Sequence, residues 1–160
     1  MTRKEYNSAV EEFADGIFRF AMKHLRNEMS AKDIVQETYA KVWVKHEEVA
    51  YEKAKSYLFT TAYHAIVDWV KKEGRSGDIE GVAERAGQAE HAYDVKEVLN
   101  AALERLPAIQ KTVVLLRDYE GYSYEEIAEI ADLSEAQVKV YIFRARQALK
   151  EYIKRLELVI

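Results

Sequence analysis

The chain of 160 residues contains no cysteine. That excludes a disulfide framework and any thiolate metal site, and it agrees with a reducing, cytoplasmic setting. There is one proline, Pro107, and no sustained alternation of apolar and polar residues, so helix is left as the dominant element. No apolar stretch reaches the roughly 18 residues that a membrane span needs. The first residues, MTRKEYNSAVEEF, are charged and lack a signal-peptide apolar core. A cytoplasmic protein without direct membrane insertion is expected. Metal-ligating patterns are equally scarce. The four histidines, His24, His46, His64 and His91, are scattered. His64 and Asp68 share a helix face at i, i+4, but no second H-x-x-x-[HDE] set supports a metal site. The expectation is no cofactor, no catalytic residue and no enzyme. Positive charge is also short: the formal net charge is −4, unusual for a nucleic-acid binder, so its placement along the chain matters.

Glycine is rare and clustered. Four of the six glycines, Gly74, Gly77, Gly81 and Gly87, fall in GRSGDIEGVAERAGQAEH, a density that suits a flexible connector. The chain therefore divides into an N-terminal helical domain (1–73), a linker (74–92) and a C-terminal helical domain (93–160). The predicted fold is all-α, two small helical domains joined by a flexible linker. Three helices are expected in the first domain, at about 4–26, 30–47 and 53–73. In the second of these, Ala31, Ile34, Val35, Thr38, Tyr39, Val42 and Trp43 share a face. In the third, Ala54, Leu58, Ala62, Ala65, Ile66 and Trp69 do so. Both stripes read as core.

The C-terminal half carries the sharper signal. Ser123 and Glu126 form an S-x-x-E capping box, and Ser134 and Gln137 form an S-x-x-Q box, each marking a helix start. Only Asp132 and Leu133 lie between the two predicted helices. Two capped helices across so short a break make a helix-turn-helix, whose second helix can enter the DNA major groove. Pro107 suits the first turn of the helix before it, and Gly121 suits that helix's end. Charge follows this division. From Ala136 to the C-terminus six cations face two acids, whereas from Glu97 to Glu135 three cations face nine acids. Local potential, not net charge, steers phosphate contact.

On the second helix, Val138, Ile142, Ala145 and Leu149 form the expected buried stripe. Ala136, Val140, Phe143 and Gln147 then point outward at about 100° per residue. Outward Val140 and Phe143 can meet thymine methyls or the sugar–base edge, and Gln137 and Lys139 are placed to reach base edges. Arg144 and Arg146 suit phosphates. In the N-terminal domain, Asp33 and Glu37 stand four residues apart and repel each other, a repulsion that a basic partner would relieve and Lys41 would partly compensate.

The segment LPAIQKTVVLLRDYEGYSYEEIAEIADLSEAQVKVYIFRARQALK closely resembles region 4 of RNA polymerase sigma factors of the extracytoplasmic-function class. AKDIVQETYAKVW, followed by KAKSYLFTTAYHAIVDWVKK, resembles region 2 of the same family. Two blocks in the family's order, on either side of a linker, cover most of the chain. The resemblance implies a factor that directs promoter-specific initiation by binding core RNA polymerase, at its clamp and flap regions, and the −10 and −35 elements. It implies polymerase-clamp contact by Asp33, Gln36 and Glu37. It implies that the loop at about 47–53 captures a flipped −10 base, with Tyr51 able to stack on it and Lys53 and Lys55 able to meet phosphates. The family often carries arginine and asparagine where this chain has Tyr63 and His64, a departure within the −10 set. Asp68 matches a family aspartate and reads as structural, while Lys71 and Lys72 match the basic end. Base-contacting positions of region 4 fall on Lys139, Val140 and Phe143. An anti-sigma partner is implied as well. The competing reading is a dimeric helix-turn-helix regulator that binds palindromic DNA without polymerase; the region 2 block has no place in it.

Overall fold

The structure is a computed structural model and describes residues 1–75 and 95–159. The predicted linker at 74–92 and His91 therefore lie almost wholly outside the described residues. Seven α-helices and no strands are present among the described residues.

Helix α1 spans Arg3–Leu25. The Thr2 hydroxyl accepts from Glu5 N–H while the Glu5 carboxylate accepts from Thr2 N–H, which satisfies two otherwise orphaned donors of the first turn. The helix stops at Arg26, in the left-handed region at φ 54°, whose N–H returns to the Met22 carbonyl. Asn27 then caps α2, Glu28–Lys45, by accepting from Ser30 N–H. That cap starts α2 two residues earlier than its apolar periodicity indicates. Two 3₁₀ turns follow, His46–Glu48 and Tyr51–Lys53, and lead into α3, Ala54–Arg75.

The three helices pack on one another through Ile17, Phe20 and Leu25 of α1, Ile34 and Val42 of α2, and Leu58, Phe59 and Ile66 of α3, all nearly inaccessible to solvent. Buried Thr38 donates its hydroxyl hydrogen to the Ile34 carbonyl, 2.7 Å away, so its burial leaves no unmet polar group. The two predicted stripes are core with one exception. Trp43, expected inside, is 41% exposed. It stacks on the His46 ring at 4.1 Å and meets the edge of Tyr6 at 4.9 Å, so the ring closes the end of the bundle rather than filling it. Asp68, expected to be structural, lies exposed on the outer side of α3.

The C-terminal half comprises α4 (Val95–Glu104), α5 (Ala108–Val114, entered from Pro107), a π-helical turn at Leu115–Tyr119, α6 (Tyr124–Ala131) and α7 (Glu135–Val159). Gly121 sits at φ +75° after the π turn, a conformation open to glycine at little cost. Helices α4, α5 and α6 pack against α7 through Leu103, Val113, Ile127, Ile130, Val138 and Ile142. The two halves then share one continuous core, because α6 lies across α3 and Phe59 meets the edge of Tyr122 at 5.0 Å.

Candidate nucleic-acid and polymerase interfaces

Both capping boxes predicted for the helix-turn-helix are present. Ser123 with Glu126, and Ser134 with Gln137, each exchange a side-chain and a backbone hydrogen bond of 3.0–3.1 Å. Asp132 closes α6 in the left-handed region at φ 56°, with its N–H bonded to the Ala128 carbonyl. The residue is not glycine, but aspartate tolerates this region better than most side chains. The chain can therefore reverse between α6 and α7 within three residues.

Along α7, Val138, Ile142 and Ala145 are buried and Leu149 is partly buried, as the helical phase requires. The opposite face holds Ala136, Val140, Phe143 and Gln147, all exposed. Val140 is 45% and Phe143 63% exposed, so Phe143 is not a core residue of the free protein. Exposed Lys139 holds its ammonium 5.8 Å from the Tyr124 ring centre, on α6. Gln137 uses its amide oxygen in the cap and keeps its N–H₂ for other partners. Arg144 is exposed. Arg146 is exposed but engaged: its Nε donates to Asp118 at 3.1 Å and its terminal nitrogen pairs with the same carboxylate. That pair braces α7 against the π turn, so phosphate contact by Arg146 would have to displace Asp118.

In the N-terminal half, Asp33, Gln36 and Glu37 are exposed together on one side of α2. Glu37 pairs with Lys41 at 2.9 Å, which offsets part of its repulsion with Asp33. The residues implied for the −10 element do not form one patch. Tyr51 is exposed at the start of the second 3₁₀ turn, Lys53 ends that turn and Lys55 lies in the first turn of α3. His64 lies on α3 about half a helical turn around from Lys55. Lys71 and Lys72, both exposed, lie sixteen residues and more beyond Lys55, about 24 Å along the axis. Tyr63 is half-buried and burial raises its phenol's pKa, while His64 beside it is exposed.

The contacts that escaped the sequence reading lie between the halves. Arg19 on α1 grips Glu120 through two hydrogen bonds of 2.9 and 3.3 Å. Gly16 leaves room for them: a Cβ there would stand 2.9 Å from the Glu120 carboxylate and 3.3 Å from Phe59. Lys23 donates to Asn100 at 3.1 Å. Lys55 pairs with Glu126 and lies 4.6 Å over the Tyr122 ring, and Lys53 pairs with Glu129 at 3.8 Å. Burial raises the Glu126 carboxyl's pKa, but the hydrogen bonds from Lys55 and the Ser123 N–H outweigh it, and the net shift is downward. His24 packs edge-on against Phe20 at 4.8 Å, with Nε2 3.2 Å from the Thr112 hydroxyl. That hydroxyl already donates to the Ala108 carbonyl, so proton accounting assigns the imidazole N–H to Nε2. Burial, with the Lys111 charge second, pushes the pKa of His24 down to about 3. Among the described residues no three His, Cys, Asp or Glu side chains converge as a metal site would require, and no helix is long and apolar enough to cross a membrane.

Comparison with known proteins agrees with this anatomy. The family described as Sigma-70 region 2 matches residues 9–76, and Sigma-70, region 4 matches residues 96–149. The chain is 30% identical over 149 residues to the ECF RNA polymerase sigma factor SigM of Bacillus subtilis, covering 89% of this chain and 91% of that protein. It is 30% identical over 172 residues to the ECF RNA polymerase sigma-E factor of Haemophilus influenzae, covering 96% and 90%. Among solved structures, it is similar to the sigma factor RpoE of Bartonella quintana, solved with the anti-sigma factor NepR, at a TM-score of 0.77 and 25% identity over 94% of this chain and 98% of that one. CnrH, solved with the cytosolic domain of CnrY, shares the fold at a TM-score of 0.75 and 18% identity, over 96% and 90% of the two chains. With regions 2 and 4 matched in order and a relative similar over nearly its whole length, the chain belongs to the extracytoplasmic-function class of RNA polymerase sigma factors.

Proposed function

We propose that this sigma factor divides its work among three sets of residues, one for polymerase and two for promoter DNA. Asp33, Gln36 and Glu37 on α2 dock the chain on the core polymerase clamp. Tyr51, Lys53, Lys55, Tyr63, His64, Lys71 and Lys72 serve the −10 strand. Gln137, Lys139, Val140 and Phe143 read the −35 element, and Arg144 and Arg146 hold its phosphates. The boundaries proposed are 1–73 for the first unit, 74–92 for the connector and 93–160 for the second. The observation that most supports this reading is the outer face of α7. A phenylalanine, a valine and a lysine stand exposed on a capped, cation-rich helix, where solvation alone would favour polar residues and a major groove supplies methyl groups and base edges. Polymerase supplies the nucleotide chemistry, so the chain works without a catalytic site, in the cytoplasm. The similarity to a sigma factor solved with its anti-sigma factor supports an anti-sigma partner for this chain too.

The docking assignment is tested by Asp33→Arg with Glu37→Arg. Both side chains are exposed, so the fold is retained; losing the Glu37–Lys41 pair and placing a positive charge one turn from Lys41 together cost only about 0.4–1 kcal/mol. Binding to core polymerase, followed by co-elution, should be lost. Wild-type affinity with both charges reversed would remove α2 from the interface.

A further inference from the structure

A cleft of about 780 Å³ opens along the seam between the two halves, and none of the residues assigned above to polymerase or promoter DNA lines it. One wall is the C-terminal part of α1; the other is the first two turns of α4 with the π turn. Phe18 and Met22 stand one turn apart on α1, and Val95 and Leu99 one turn apart on α4, so each wall gives the cleft an apolar strip. Val95 is 73% and Tyr119 40% exposed, which leaves apolar surface in the cleft open to water. The volume lies within the roughly 300–1,000 Å³ of small-molecule sites, which pair such surface with a few charged or polar groups.

The charged groups around these strips are all of one sign. Arg19, Lys23, Arg26 and Lys96 line the cleft, and among the described residues no aspartate or glutamate joins them. Glu120, nearly buried behind Arg19, offsets that one cation. Lys23 donates to the Asn100 amide and lies 4.9 Å over the Tyr119 ring, both neutral partners. Its pKa is held down, first by burial and then by the Lys96 and Arg26 charges, with Glu120 opposing. The cations thus crowd one another, and an anion among them would relieve the repulsion. A metal ion or a cationic ligand has the wrong sign, and an inorganic anion leaves the apolar strips wet. From Phe18 to Arg26 the cleft follows α1 for about 12 Å, a span that about ten carbon–carbon bonds cover when extended. We propose that the cleft binds a small amphipathic organic anion, its apolar body against Phe18, Met22, Val95 and Leu99 and its carboxylate or phosphate head among Lys23, Arg26 and Lys96.

The test uses the full-length chain with ¹³C-labelled methionine methyl groups, titrated with decanoate or decyl phosphate below the micelle concentration of each. The chain has three methionines, and of these Met22 alone lines the cleft. Met29, 77% exposed, reports adsorption to any apolar surface. Either anion should move the Met22 resonance saturably and leave Met1 and Met29 in place; binding of one anion and not the other supports the site and fixes its head group. Hexanoate should bind at least about tenfold more weakly than decanoate, since each buried methylene is worth up to about fourfold. Decyltrimethylammonium should not compete. Arg26→Asn with Lys96→Gln removes two cations at exposed positions, and asparagine accepts the left-handed backbone at position 26. This variant should weaken decanoate about tenfold, the loss of a charge-assisted hydrogen bond. Val95→Asp, which sets a carboxylate on the apolar rim and leaves no cavity, should weaken it as well. The proposal is overturned by no saturable Met22 shift with either anion, by an equal shift at Met29, by equal binding of the trimethylammonium probe, or by wild-type affinity in both variants. Self-association of the chain that Val95→Asp abolishes would give the cleft to a second copy and overturn it too.

Discussion

Truncating Phe143 separates base reading from folding. Its ring is 63% exposed, and a phenylalanine side chain offers on the order of 200 Å². About 125 Å² thus meets water in the free protein, and burying all of it in a groove has a ceiling of about 3 kcal/mol at ~25 cal/mol/Å². Ordering and desolvation of the surrounding polar groups reduce the expected gain to about 1–2 kcal/mol of discrimination, a 5- to 30-fold preference. In the unbound chain only the covered third of the ring is lost on truncation. Phe143→Ala should therefore lower stability by less than about 1.5 kcal/mol, whereas a core phenylalanine such as Phe59 should cost about 3–5 kcal/mol. Selection over a library of −35 variants with reconstituted holoenzyme reads the first effect, and thermal melting reads the second. Lys139→Ala should shift the preferred sequence by a comparable amount, and Arg144→Ala should weaken all sequences by a similar factor. A melting temperature lowered by more than about 10 °C would make Phe143 a packing residue. An unchanged −35 preference in Phe143→Ala, or a shift produced by Arg144→Ala alone, would refute the assignment of roles.

Two further outcomes follow from the seam and the caps. His24 in the unfolded chain titrates near 6.5 but in the folded chain only near 3, so the unfolded state binds the extra proton and stability rises with pH across that window. Between pH 7 and pH 5 this one group should cost about 2 kcal/mol; His24→Gln should flatten the decline in melting temperature over that range, and an unchanged slope would show that the imidazole is solvated. Ser123→Ala removes the acceptor for the Glu126 N–H and should cost about 1 kcal/mol, lowering the melting temperature by about 2–4 °C; no change would mean the cap is not held in solution.

What the sequence discloses here is what is local. The helix-turn-helix is written in two four-residue capping boxes and a buried stripe at Val138, Ile142 and Ala145, and all of these are contacts between near neighbours in the chain. The outward phase of Val140 and Phe143 follows from the same periodicity. Trp43 misleads because it falls at the edge of a helical stripe, and only the later turn carrying His46 supplies its stacking partner. Phe59 goes unnoticed beside Leu58 because the surface that buries it, Tyr122, is more than sixty residues away. Arg19–Glu120 and Lys55–Glu126 are likewise invisible to any pattern of local spacing. Asn27 is legible in principle, as an asparagine three residues before Ser30 that starts α2 early.

The central claim, that this chain directs polymerase to bipartite promoters through separate −10 and −35 surfaces, is tested most directly by run-off transcription. Core RNA polymerase would be supplied with this chain and with fragments of genomic DNA. The account predicts discrete transcripts that require both components, that start a fixed distance downstream of paired elements, and that disappear with Asp33→Arg and Glu37→Arg. Binding of the chain alone, as a dimer, to palindromic DNA, with no polymerase-dependent transcript from any fragment, would contradict it.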